Sequence, residues 1–237
     1  MSTHFFRLLS GLFFGGSLLV ACSGGVNNPI KTISAHSDTD GAAASKPVSI
    51  PTPQATAKSE QTAVFAGGCF WGVEAVFEHV KGVSNVTSGF SFGTVKTSNN
   101  ETGKADKNGY AEAVKITYDP SKISYEQLLK IFFLVAHDPT ELNRQGPDVG
   151  TEYRSVIFYT SDEQKQLAEN YIAELTGAKI FARPIVTQIS QLDKFNQAGD
   201  DHQNYMAKHP DDAYIVINDK PKLENLRKQF PDLYVSK

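Results

Sequence analysis

The sequence predicts an α/β or α+β domain in which a layer of helices packs on a sheet. Three observations carry that prediction. Strand-like runs, either apolar on both faces or alternating, recur from Thr62 onward. Helical repeats with serine start signals fall between them. Before residue 61 the texture is different, rich in Ser, Ala, Gly and Pro. Strands alternating with helices fold as layers around one core.

Residues 62–68 (TAVFAGG) are apolar on both faces, the pattern of a fully buried central strand. Gly67 and Gly68 break it. Phe70, Val73, Phe77 and Val80 then recur at three- and four-residue steps, which predicts a helix closed by Lys81 and Gly82. Residues 111–118 (AEAVKITY) alternate as a strand that Asp119-Pro120 ends. Ser124 with Gln127 is a capping box for a helix through Ile131, Phe132 and Val135. A strand at 153–160 follows, then a helix from Ser161 and Gln164 through Leu175, and a last core strand at 183–189 (RPIVTQI). Lys220, Lys222, Arg227 and Lys228 scatter along a terminal helix and read as a solvated face.

The sequence predicts three parts: a signal peptide (1–21), a flexible tether (22–60) and a folded domain (61–237). Arg7 precedes an apolar stretch from Leu8 to Val20, interrupted by Gly11, Gly15 and Gly16. That suits a signal peptide better than a spanning helix. Leu19-Val20-Ala21-Cys22 resembles the bacterial lipobox, which implies cleavage before Cys22 and lipid attachment to its thiol and new amino group. The protein is then expected at a bacterial cell envelope, exported and anchored to the membrane. Ser23 points to the outer membrane if the host has one. An ordinary signal peptide with an incidental cysteine is the other reading. The tether has too few large apolar groups to offset its ordering entropy. The 23 basic and 26 acidic residues leave a net charge of −3, with no footprint for a nucleic acid partner.

Cys69 is the one cysteine besides Cys22, and it lies at a strand-to-helix junction. Unpaired N–H groups at a helix start stabilise an anion, so a reactive thiol of lowered pKa is expected. The competing reading is a small buried hydrophobe. Gly67 and Gly68 favour reactivity, because they let another molecule approach the backbone. Phe70 and Trp71 either wall a pocket or simply pack in the core. Glu112 shares its strand face with Val114, Ile116 and Tyr118, so burial raises its pKa toward that of a proton donor near neutrality. Alternatively it reaches solvent.

Four blocks together resemble the type A peptide methionine sulfoxide reductases: GCFWG (68–72) followed by Glu74, AEAVKITYDP (111–120), HDPTELNRQGPDVGTEYRS (137–155) and AGDDHQNYMAKHP (198–210). The resemblance runs from about Val64 to Pro231. It implies a two-layer α/β sandwich with a mixed sheet and a ferredoxin-like core. It further implies that Cys69 attacks the sulfur of a methionine-S-sulfoxide while Glu112 gives a proton to the oxygen. Phe70 and Trp71 would hold the S-methyl, with Asp148 and Tyr153 near the site and Tyr153 bonding the oxygen. The implied products are methionine and a Cys69 sulfenic acid, a reversible oxidation state. No metal or organic cofactor is implied, and a monomer acting on oxidised proteins and peptides is expected.

The sequence departs from that pattern in three places. GFSFG (89–93) stands where GYxGG is usual. Asn100 stands where a second substrate-binding tyrosine is expected, and Tyr110 replaces the histidine of Gly-His-Ala-Glu. Asn100 can still hydrogen-bond an oxygen, and Tyr110 is a second candidate for that role. The C-terminal residues carry no resolving cysteine, as in the one-cysteine subgroup. An external thiol, such as a thioredoxin-like protein or dithiothreitol, must then reset Cys69. Two other classes compete: an acyl-transfer hydrolase with His202 as base, and a non-catalytic peptide-binding lipoprotein. His202 and His209 alone are a weak metal signal.

Overall fold

The computed structural model describes residues 59–94 and 109–237. Residues 1–58, which include the expected signal peptide, Cys22 and most of the expected tether, lie outside the described residues, as does Asn100.

In chain order the elements are β1 (Gln61–Ala66), α1 (Phe70–Glu78), β2 (Val83–Thr94), β3 (Ala111–Tyr118), α2 (Tyr125–Ile131), β4 (Arg144–Gln145), β5 (Asp148–Val149), β6 (Val156–Tyr159), α3 (Asp162–Gly177), β7 (Gln188–Gln197), α4 (Tyr205–Lys208) and α5 (Lys220–Gln229). Two π-helical turns, Phe132–Ala136 and Ile215–Asp219, prolong α2 and lead into α5. Helices pack on a mixed sheet, as expected. The sheet goes further and closes on itself in the order β1, β3, β2, β7, β6. Only the β6–β7 pairing is parallel among these five contacts.

β1 explains its own sequence. It pairs with β3 on one side and β6 on the other, so neither edge is free. Val64 and Ala66 join Ala111, Ala113, Val156 and Phe158 in one cluster. Ala63 and Phe65 point the opposite way, into the larger core built by the helices. Both faces are therefore dry, and both are apolar. The expected capping box also forms: the Ser124 hydroxyl accepts the Gln127 N–H, and the Gln127 side chain accepts the Ser124 N–H.

Three sequence expectations need correction. β2 was not anticipated, because its buried positions include Ser88 and Ser91, both 0% exposed, where apolar residues would announce a strand. Gly89 there lies under the Phe195 ring, 2.5 Å from where a Cβ would stand. The last strand is Gln188–Gln197, not 183–189. Residues 183–187 instead cross the 138–140 turn, with the Val186 N–H on the Pro139 carbonyl. Lys222 is not on a solvated face, since its ammonium bonds the buried Asp219 carboxylate at 3.0 Å.

Candidate active site

Cys69 is the residue immediately before α1, where β1 turns into the helix, and it is 8% exposed. The two glycines before it serve a different purpose from the one expected. A Cβ on Gly67 would stand 2.9 Å from the His137 ring, and one on Gly68 would stand 2.5 Å from the Gln145 side chain. Gly68 also has φ +92°, a conformation that L side chains rarely adopt. The groups that approach the backbone are therefore the protein's own, and they hold the turn from behind. Gln145 is fixed in turn by bonds to the Asp138 N–H and carbonyl. His137 is held between the Phe132 carbonyl and the Ser155 hydroxyl.

Glu112 lies one residue into β3, on the face that Val114, Ile116 and Tyr118 present to the helical core. Its Oε2 accepts the backbone N–H of Phe70 at 3.1 Å. Strand and helix start are thereby tied at the residue next to Cys69. Burial pushes the Glu112 carboxyl up to about 7, against the pull of the Phe70 N–H and with the help of the Asp148 and Glu152 charges.

The Cys69 thiol departs from expectation. Burial pushes it up to about 12, the Glu112 and Asp219 charges add to that, and the Trp71 N–H and Tyr214 hydroxyl oppose it. The helix start does favour the anion, but desolvation outweighs it. Burial therefore favours the protonated thiol over the thiolate.

The aromatic residues form a wall beside the thiol. Phe70 is almost fully buried, with Phe90 at 5.6 Å and His202 at 5.4 Å between ring centroids. Trp71 is half-buried and lies flat on Tyr205, with centroids 3.6 Å apart and planes 7° apart. The Tyr214 ring meets it edge-on at 5.9 Å. The indole N–H donates to His202 Nδ1 at 3.2 Å. That nitrogen is thus engaged and cannot take a thiol proton. His137, the other histidine near the turn, has both ring nitrogens bonded.

Polar groups also lie near the thiol. The Tyr214 hydroxyl donates to Asp148 Oδ2. Burial and then the Glu112, Asp148 and Cys69 charges push the Tyr153 phenol up to about 12, so its hydroxyl stays a donor. Asp148, Tyr153, Glu112 and Cys69 are thus brought together. Tyr110 is placed at the rim: its ring packs edge-on against Phe90, and it is 48% exposed. Tyr205 and Tyr214 were not picked out from sequence. Tyr205 lay within the block AGDDHQNYMAKHP, but Tyr214 follows it in a stretch with no motif of its own. Among the described residues no group of three His, Cys, Asp or Glu side chains is arranged to hold a metal ion. His202 lies on Trp71, while His209 packs on Tyr205 at the end of α4.

Comparison with known proteins gives a consistent answer. The family model described as "Peptide methionine sulfoxide reductase" matches residues 61–234. The protein named "Peptide methionine sulfoxide reductase MsrA 2" from Mesorhizobium japonicum is 51% identical over 181 residues, 76% of this chain and 93% of that one. A protein of the same name from Synechocystis sp. is 46% identical over 185 residues, 78% of this chain and 86% of that one. Among solved structures, methionine sulfoxide reductase A of Corynebacterium diphtheriae superposes with a TM-score of 0.51 at 30% identity, covering 68% of this chain and 83% of that chain.

Proposed function

The chain belongs to the peptide methionine sulfoxide reductase family, and from that premise we propose how its residues reduce methionine-S-sulfoxide to methionine. The enzyme acts on the sulfoxide, free or within a protein, with Cys69 as nucleophile. The observation that carries this reading is the junction of Cys69 with Glu112, which reaches the Phe70 N–H beside the thiol. The S-methyl group sits against Phe70 and Trp71, where apolar contact selects it. The Tyr153 hydroxyl donates to the sulfoxide oxygen, and the Asp148–Tyr214 pair borders the same position.

The resting protonation order defines the chemistry. Above about pH 7 the proton of the Cys69–Glu112 pair sits on sulfur. Glu112 takes that proton as the sulfur attacks, and hands it to the sulfoxide oxygen. The S–O bond of the substrate breaks and the oxygen ends on Cys69 as a sulfenic acid, leaving the thioether of methionine. Two external thiols then return Cys69 to the thiol, releasing water and a disulfide. A thioredoxin-like protein is the reductant that fits, since the sequence holds Cys22 as its one other cysteine.

The lipobox-like Leu19-Val20-Ala21-Cys22 supports an envelope setting in which the enzyme repairs oxidised exported proteins from a lipid anchor. The mass of the mature N-terminal peptide checks the anchor, and an unmodified Cys22 would remove it. For the activity, an assay on separated sulfoxide epimers with dithiothreitol is expected to show the S epimer consumed and the R epimer untouched. A wild-type protein inactive on both would refute the assignment. The acyl-transfer alternative finds no support in His202, whose Nδ1 is bonded to Trp71.

A further inference from the structure

Trp71 is the single tryptophan of the chain and the largest surface of the aromatic wall. Its partners Tyr205 and His202 come from a segment with little regular structure to hold it. α4 is four residues long, and Asn204 before it has left-handed backbone (φ 54°, ψ 36°) with no side-chain cap. Two α1-side and β2-side clamps fix this segment instead. The Gln203 amide spans the Ser88 N–H and carbonyl and the Ala198 carbonyl. Glu74, 1% exposed, accepts the Asn204 backbone N–H on Oε2 at 2.9 Å. Glu74 stands three residues beyond Trp71 on α1, one turn along the same face. Trp71 and Glu74 therefore grip neighbouring residues of one segment, Trp71 through Tyr205 and His202, Glu74 through Asn204.

We propose that Glu74 is a positioning residue for the methyl pocket, holding Tyr205 and His202 at the spacing that Trp71 needs to bind the sulfoxide. This rests on the reading of Trp71 as the pocket wall. A buried carboxylate is a costly way to fill a helix face, and here its oxygen satisfies the N–H of a residue in left-handed backbone. Burial pushes the Glu74 carboxyl up to about 7, helped by the Glu78 charge and opposed by the Asn204 N–H. The contact the carboxyl makes is through an acceptor oxygen, which glutamine also supplies.

The test compares Glu74→Leu, which keeps the volume and removes the acceptor, with Glu74→Gln, which keeps the acceptor. Three readouts are the emission of Trp71, the steady-state constants on methionine-S-sulfoxide, and the rate of Cys69 alkylation by iodoacetamide. For Glu74→Leu, KM is expected to rise about tenfold, as for loss of one buried hydrogen bond, with kcat within about twofold. Trp71 emission shifts to the red, alkylation is unchanged, and Glu74→Gln restores wild-type values. If the leucine variant does not fold, Glu74→Asp withdraws the oxygen by one methylene and is expected to raise KM in the same way. Unchanged emission, a fall in kcat at constant KM, or faster alkylation would each overturn the proposal. Emission and alkylation are read without turnover, so an error in the reductase assignment, visible as an inactive wild type, is told apart from an error about Glu74.

Discussion

Replacing Cys69 with serine is expected to lower turnover of a methionine-S-sulfoxide peptide by at least about 10³-fold. The loss follows from what sulfur does here and oxygen cannot. The thiol must bond the sulfoxide sulfur and then keep the transferred oxygen as a sulfenic acid, and a serine hydroxyl has no such oxidised state. Size and shape change little, because a hydroxyl replaces a thiol of similar volume at a position that is 8% exposed. Folding and substrate binding are therefore expected to persist, measured by urea unfolding and by the quenching of Trp71 on titration with the sulfoxide peptide. The variant should be made in the chain that still carries Cys22. Activity within tenfold of wild type would then assign the sulfur chemistry to another group.

Glu112→Gln is expected to cost about 10² to 10⁴ in kcat/KM, the range for removing a positioned proton carrier. The amide oxygen still accepts the Phe70 N–H, so the tie between β3 and α1 survives and the effect falls on proton transfer. The pH profile supplies the sign. Burial, with the nearby charges, places the Cys69 thiol at about 12 and the Glu112 carboxyl at about 7. Between those values the pair holds one proton, on sulfur, and the carboxylate is free to take it. Below about pH 7 Glu112 gains a proton of its own and can no longer accept the one on Cys69. Wild-type kcat/KM is therefore expected to be level above pH 7 and to fall about tenfold per unit below it. The Gln variant should lose that inflection. An inflection that persists in the variant, or a wild-type rate that rises as pH drops below 7, contradicts this order of protonation.

Much of the architecture was readable because local signals agreed with the packing. β1 is apolar on both faces and is buried on both. The Ser124 capping box starts α2 where the hydroxyl and carboxamide bond reciprocally. Glu112 could be placed by parity alone, since a strand period of two puts it with Val114 and Ile116. What escaped notice depended on distant partners. β2 hides because polar Ser88 and Ser91 occupy buried positions where apolar residues would announce a strand. Tyr214 and Asp219 come to the site from a π-helical turn and its flank, contributed by residues 145 positions after Cys69 or more. In sequence the glycines before Cys69 suggest space for a ligand, and only the packed positions of His137 and Gln145 reveal their role. The thiol was expected to be acidified by the helix start. Desolvation is a property of the assembled core, and it decides the result.

In the proposed reaction Cys69 itself receives the oxygen, and no second thiol of the folded part resets it. Reduced protein is mixed with methionine-S-sulfoxide peptide in excess, with dimedone present and no thiol, and the products are read by mass spectrometry. One methionine formed per chain and a dimedone adduct on Cys69 are expected. Methionine accumulating beyond one per chain without reductant, or methionine formed with Cys69 unmodified, would contradict the proposed reaction.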